Sequence, residues 1–175
     1  MRLRNLTAAI TVTAALGLGM AASGGTASAG TGDAPAPTAP ACDTSALRIA
    51  FDGKAHYSAP GEQIPVIVHL TNTSGTACSL QGFPDVDLNA GSDTWSLLHN
   101  NDDHIPVTLT PGTSAHFAIT YISWQEGMGT EFDATSATIT LPGATTSVTL
   151  PWPGSSIVGQ NGATHPGTYV GPISL

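Results

Sequence analysis

The chain has 175 residues, with four Lys or Arg against twelve Asp and Glu and a formal net charge of −8 at pH 7. That length suits one domain, and the shortage of cations excludes a nucleic-acid function, because displacing counterions from a polyanion needs a basic face. Anionic membrane surfaces are excluded on the same ground, whereas cationic partners and divalent ions remain open.

Residues 1–29 read as a secretory signal peptide. Arg2 and Arg4 precede an apolar run from Leu6 to Ala22, and Ala27-Ser28-Ala29 is the small-x-small pattern cut by a signal peptidase. Thr7, Thr11, Thr13 and the glycines dilute a run already short for a membrane span of about 20 residues. No cysteine follows for lipid attachment, so the expected location is extracellular, after cleavage. Cleavage leaves Arg48 and Lys54 against all twelve acids, a net charge of −10. Residues 30–41 are Ala, Pro, Thr and Gly apart from Asp33, with little to bury, and predict a flexible leader ahead of a single β-domain over 42–175.

The predicted elements then follow in order. Leu47 to Phe51 is the first strand, with Leu47, Ile49 and Phe51 on one face; a turn at Asp52-Gly53 leads to a weaker strand near Lys54 to Ser58. Pro60-Gly61 turns the chain into Gln63 to Thr71, where Ile64, Val66, Val68 and Leu70 share a face and Pro65 marks an edge or strand start. Asn72, Thr73, Ser74 and Gly75 form the next turn, and Cys78 to Leu80 a short strand. Val86 and Leu88 alternate in an acidic strand, Asn89 to Asp93 is a loop, and Thr94 to His99 is a further strand.

Ile105 to Thr110 is expected to point Ile105, Val107 and Leu109 inward; Pro111-Gly112 is a turn. Ser114 to Trp124 is the longest regular run, with Ala115, Phe117, Ile119 and Tyr121 on one face, and Gly127 to Gly129 breaks it. Ala137, Ile139 and Leu141 mark the next strand, Pro142-Gly143 a turn, and Val148, Leu150 and Trp152 the last regular strand. In the tail, Asn161-Gly162 is a type I′ signal that predicts a closing clasp, with Ile157-Val158 folded back on Tyr169-Val170 and His165-Pro166 in the connecting loop. Short period-two strands between regular turns predict an all-β, antiparallel, immunoglobulin-like β-sandwich. The segment from Leu109 to Phe117 is the strand-turn-strand crossing such domains use.

Cys42 and Cys78 are the only cysteines. In an exported chain they pair most simply with each other, and closing a loop of this size stabilises the fold by about 3 to 4 kcal/mol. A redox or metal pair would use the closer Cys-x-x-Cys spacing.

Cys42, the Pro60-Gly61 turn, the run Leu70-Thr-Asn-Thr-Ser-Gly-Thr-Ala-Cys-Ser-Leu-Gln-Gly-Phe-Pro84 and the closing Gly162-Ala-Thr-His-Pro-Gly-Thr-Tyr169 together resemble a domain family of unknown function, widespread in secreted proteins and lipoproteins of actinomycetes. The resemblance covers nearly all of 42–175. It implies an exported β-sandwich with one disulfide and brings no catalytic residue. This chain lacks the lipid-attachment cysteine of the anchored members.

Candidate chemistry is sparse. His99-Asn-Asn-Asp-Asp-His104 is the densest group of ligand-type side chains, and His99, Asp102, Asp103 and His104 are the candidate metal ligands. The simpler reading is a polar turn, because Asn and Asp are what such turns need. His69 and His116 fall on the outer faces of their strands, where solvated histidines are the default, and His56 and His165 are scattered. Blue copper would require a cysteine, and both are committed. Glu126 and Glu131 flank a glycine-rich loop beside Trp124, a weak match to a glycosidase pair that reads more simply as a loop between strands. Trp124, Trp152 and Tyr169 are the candidate ligand-contacting aromatics, with plugging of the sandwich ends the alternative.

The sequence therefore predicts a secreted, non-enzymatic binding or cell-envelope-associated domain, read as monomeric, with no cofactor. Its partner would be an unknown protein or envelope component. A metal-dependent or glycan-directed activity on the same scaffold is the alternative.

Overall fold

A strand sends successive side chains to opposite faces, so a sequence that alternates apolar and polar residues can bury all its apolar groups at once only when extended. Gln63–Asn72 does this without interruption: Ile64, Val66, Val68 and Leu70 are buried, and the residues between them face outward. The computed structural model describes residues 39–53, 61–160 and 167–175, all within the compact unit Pro37–Leu175. The expected signal peptide, most of the leader, the weak strand near Lys54, His56, the Asn161-Gly162 turn and His165-Pro166 lie outside the described residues.

After a short 3-10 turn at Thr44–Ala46 the strands are β1 (Leu47–Phe51), β2 (Gln63–Asn72), β3 (Cys78–Leu80), β4 (Asp85–Ala90), β5 (Asp93–Ser96), β6 (Leu98–His99) and β7 (Val107–Leu109). They continue with β8 (Ser114–Ile122), β9 (Glu131–Phe132), β10 (Ser136–Thr140), β11 (Ser147–Pro151), β12 (Ile157–Val158) and β13 (Tyr169–Val170). Five form one sheet in the order β1-β2-β8-β13-β6, and four form another in the order β11-β10-β4-β5. Two small sheets, β12-β9 and β3-β7, complete the set. Among these described strands every pairing is antiparallel except β13 with β6, and an isolated parallel bridge joins Ala41 to Ser79.

The inner faces of the two main sheets share one core: Val68, Leu70, Phe117 and Ile119 come from the first, and Val86, Leu88, Ala137 and Ile139 from the second. Trp152 closes it, with its ring edge-on to both Phe51 and Tyr121. Cys42 and Cys78 form the expected disulfide. Backbone bonds between Cys42 and Ser79 and between Ser79 and Pro40 dock the segment ahead of β1 onto β3.

The alternating strands stand close to where their pattern placed them, and Pro65 shows why β2 tolerates it. Asp52 N–H bonds the carbonyl of Ile67 at 2.9 Å, so Ile67, and Pro65 two residues earlier, aim their backbone groups toward β1. β1 ends opposite Val68, so the missing N–H of Pro65 falls beyond the β1 ladder.

Five expectations are corrected. Thr94 to His99 is not one strand: β5 belongs to the four-stranded sheet and β6 to the five-stranded one, with buried Leu97 as the hinge and its N–H on the Val86 carbonyl. Asn89 to Asp93 is not a loop but a hairpin, with Asn89 opposite Thr94 and Ala90 opposite Asp93 around Gly91, whose φ of 60° suits glycine. Ile105 does not point inward. It is 74% exposed, because β7 starts only at Val107, after Pro106, where pairing with β3 begins. The longest run, expected to reach Trp124, ends as a strand at Ile122; beyond it Ser123 makes only an isolated antiparallel bridge to Ile157, and Trp124 N–H bonds the Ser156 carbonyl.

The tail supplies the fifth. Among the described residues Ile157-Val158 does not pair with Tyr169-Val170: β12 pairs with β9, while β13 lies between β8 and β6. Gln160 Oε1 accepts the Gly167 and Thr168 N–H groups at 2.7 and 3.2 Å, and Gln63 Nε2 donates to the Gly167 carbonyl at 3.0 Å. The returning chain is thereby laid against β8, and Ile157, Val170 and Ile173 enter the core.

Candidate functional site

The acidic segment after β6 is organised by aromatic contact and local hydrogen bonds. The His99 ring stacks on Phe83 with centroids 4.9 Å apart and planes 15° from parallel, and its Nε2 lies 3.1 Å from the Pro84 carbonyl and 3.4 Å from an Asp85 oxygen. His104 meets the same Phe83 edge-on at 5.4 Å. Asn100 Nδ2 donates to Asp102 at 2.5 Å, and Asp102 N–H returns a bond to Asn100 Oδ1 at 3.3 Å, a local turn of the kind Asn and Asp favour. The two imidazoles thus both rest on Phe83. Among the described residues, no three His, Cys, Asp or Glu side chains gather into a cluster; of the four candidates, the structure brings His99 and His104 together on one ring.

The three aromatic candidates have separate fates. Trp152 is buried, and its Nε1 donates to the Ser155 carbonyl at 3.1 Å. Trp124 is half-buried and braces the glycine turn by donating to the Gly129 carbonyl at 3.0 Å. Glu126 sits in that exposed turn, whereas Glu131 lies on β9 and lines a depression with Asp93 and Trp95.

Tyr169 is half-buried on β13 and lines a depression of about 330 Å³ on the outer face of the five-stranded sheet, together with Asn100, Asp102, His116, Thr120 and Ser174. One wall comes from the acidic segment and the other from the tail. Asn100 N–H bonds the Val170 carbonyl at 3.0 Å, and Gly171 N–H bonds the Ala118 carbonyl at 2.9 Å, so both walls are fastened to β8 and β13. Two further depressions exist among the described residues. One, of about 390 Å³, lies between Ala41–Ser45 and Pro142–Thr146; its carboxylate, Asp43, already caps the 3-10 turn. Hydrogen bonds from the Ser45 hydroxyl and then its N–H hold the Asp43 carboxyl below its ordinary value. The other, of about 440 Å³, has Trp95, Asp93 and Glu131 at its rim. We take the outer-face depression as the candidate site, because a rigid central strand carries its floor and polar groups of four kinds converge there.

A family model described as a domain of unknown function, DUF4232, matches residues 42–172. The chain belongs to the DUF4232 family. A search of curated proteins found no match. The DUF4232 span begins at the first disulfide cysteine and takes in every strand from β1 to β13, so it includes both sheets and all of the depression except the Ser174 edge.

Within this DUF4232 domain, the sequence had placed His69 and His116 on outer faces but apart. The register of β2 on β8 sets them directly opposite each other, with ring centroids 6.3 Å apart. Asp52 lies 3.7 Å from His69 Nε2, and Ser174 Oγ lies 3.5 Å from His116 Nε2. Two residues separated by a long stretch of chain carry no local signal of meeting; only the strand pairing shows it.

Proposed function

We propose that this chain is an extracellular, non-enzymatic binding domain that engages a protein or cell-envelope component through the depression lined by Tyr169, Asp102, Asn100 and His116. The observation that carries the reading is that depression: the one aromatic and the one carboxylate that come together out of the two candidate sets do so there, on a sheet whose strands are held from both sides. His116 and Tyr169 are fixed on β8 and β13 and so bind with little ordering cost. A basic start, an apolar run and a small-x-small pattern in residues 1–29 support export, as does a disulfide, which persists in oxidising compartments. The resemblance to exported actinomycete domains supports the same placement. No helix of the described residues is long and apolar enough to cross a membrane. The passage from β7 to β8 through Pro111-Gly112, which carries the chain from one sheet to another, supports an immunoglobulin-like sandwich as the scaffold.

The test is co-sedimentation of the purified chain with isolated cell-wall material, with analysis of the supernatant for released fragments. We expect retention on the wall, at least about tenfold weaker in Tyr169→Ala and Asp102→Ala, with unchanged melting temperature and no released fragments. Equal retention of both variants would remove the depression from the reading, and soluble cleavage products would make the protein an enzyme.

A further inference from the structure

The pairing of His69 with His116 is of a particular kind. Ile67 turns its carbonyl toward β1, so His69, two residues on, turns its backbone groups the same way. His116 exchanges hydrogen bonds of 2.8 and 2.9 Å with Ser174 on its opposite side. The two histidines therefore share no backbone bond, and they form the narrow type of antiparallel pair, with Cα atoms about 4.5 Å apart and side chains at their closest. Their chain neighbours Val68, Leu70, Ala115 and Phe117 point into the core, so both rings stand on the outer face. The same row across the sheet reads Ala50, His69, His116, Ser174, and its small ends leave the rings accessible; the His69 side chain is 43% exposed.

Two imidazoles on one ion place their centroids at most about 6.4 Å apart, from about 2.1 Å of metal–nitrogen bond and about 1.1 Å of ring on each side. The observed 6.3 Å lies just inside that collinear limit, and a tetrahedral ion needs the rings to turn toward each other until the centroids are about 5 Å apart. We infer that His69 and His116 form a two-imidazole site for a divalent transition-metal ion of the copper, nickel or zinc class, with water in the remaining positions. Imidazole suits these ions. Asp52 lies 3.7 Å from His69 Nε2 and Ser174 Oγ lies 3.5 Å from His116 Nε2; in the tautomers in which those Nε2 atoms carry the proton, the Nδ1 lone pairs are left for the ion. Such outer partners orient metal-binding histidines. The acidic chain attracts cations generally. With no third His, Cys, Asp or Glu side chain closing on the pair among the described residues, the site is open and exchangeable rather than a structural cage. The inference goes beyond the binding reading and does not depend on the depression holding a ligand.

The experiment is a copper(II) titration of the untagged full chain at neutral pH, followed by calorimetry and electron paramagnetic resonance. We expect one ion bound with micromolar affinity and a spectrum showing imidazole nitrogen ligands. His69→Asn and His116→Asn should each weaken binding by about tenfold or more, and Asp52→Asn by a similar factor, without change in melting temperature. The double variant His99→Asn/His104→Asn serves as control and should keep the affinity. Binding that persists in His69→Asn/His116→Asn, or that vanishes with His99 and His104 instead, overturns the assignment, as does the absence of micromolar uptake by the unaltered chain.

Discussion

The Asn72 amide is fully buried and uses all its hydrogen-bonding capacity: Nδ2 donates to the Thr76 and Leu109 carbonyls at 2.8 and 2.9 Å, and Oδ1 accepts from the N–H and hydroxyl of Ser74 at 2.9 and 2.7 Å. The residue ends β2, closes the turn before β3 and reaches the last carbonyl of β7, so one side chain joins two strands and the turn between β2 and β3. Removing it strands polar groups away from water, each at about 1 to 3 kcal/mol. Asn72→Ala is expected to lose about 2 to 4 kcal/mol of stability in urea unfolding. Asn72→Asp keeps the acceptor but loses both donors, and should be no more stable. A loss below about 0.5 kcal/mol for the alanine variant would show that the freed carbonyls find other partners. The turn propensity of Asn72 was legible from its neighbours Thr73, Ser74 and Gly75; its burial was not, since the atoms that cover it come from β7 and the turn before β8.

At the level of elements, the tail is part of the sheet. β13 pairs with β8 through only two residues, yet Val170 and Ile173 are both buried, and Ile173 N–H bonds the Gly82 carbonyl at 3.0 Å. Ile173 is 2% exposed, whereas a tether would bury nothing there. Ile173→Ala should instead cost about 2 to 4 kcal/mol, the range for emptying a well-packed site. Truncation after Pro153 removes Ile157 as well and exposes the β13 side of β8, so a large fall in melting temperature is expected. Hydrogen exchange gives the independent check: the amides of Gly171, Ile173 and Ser174, all bonded to the sheet or its bends, should be protected. Free exchange there, together with an unchanged melting temperature on truncation, would return the tail to the status of a tether.

For the whole molecule, the disulfide spans a sequence separation of 36 residues and holds the chain ahead of β1 to β3. Closing such a loop restricts the unfolded chain by an amount worth about 3 to 4 kcal/mol. The Cys42→Ser/Cys78→Ser double variant should lose stability of that order in guanidinium unfolding, and the unaltered protein should lose the same amount when reduced. An unchanged midpoint after reduction would mean that the core alone sets the stability. Export and the disulfide are linked in this expectation, because a reducing compartment would withhold that contribution.

From the sequence alone came the all-β class, the disulfide, the extent of β1, that of β2 up to Thr71, and the inward sets Ile64, Val66, Val68, Leu70 and Ala115, Phe117, Ile119, Tyr121. Each of these rests on a local signal, either a period-two pattern long enough to be unambiguous or a single pair of cysteines. Left to the tertiary structure were the division of Thr94 to His99 between two sheets, the separate partners of Ile157-Val158 and Tyr169-Val170, and the meeting of His69 with His116. Two-residue strands carry too little alternation to name a partner. A cross-strand pair depends on register between segments far apart in the chain, and register is selected by the whole set of buried faces at once.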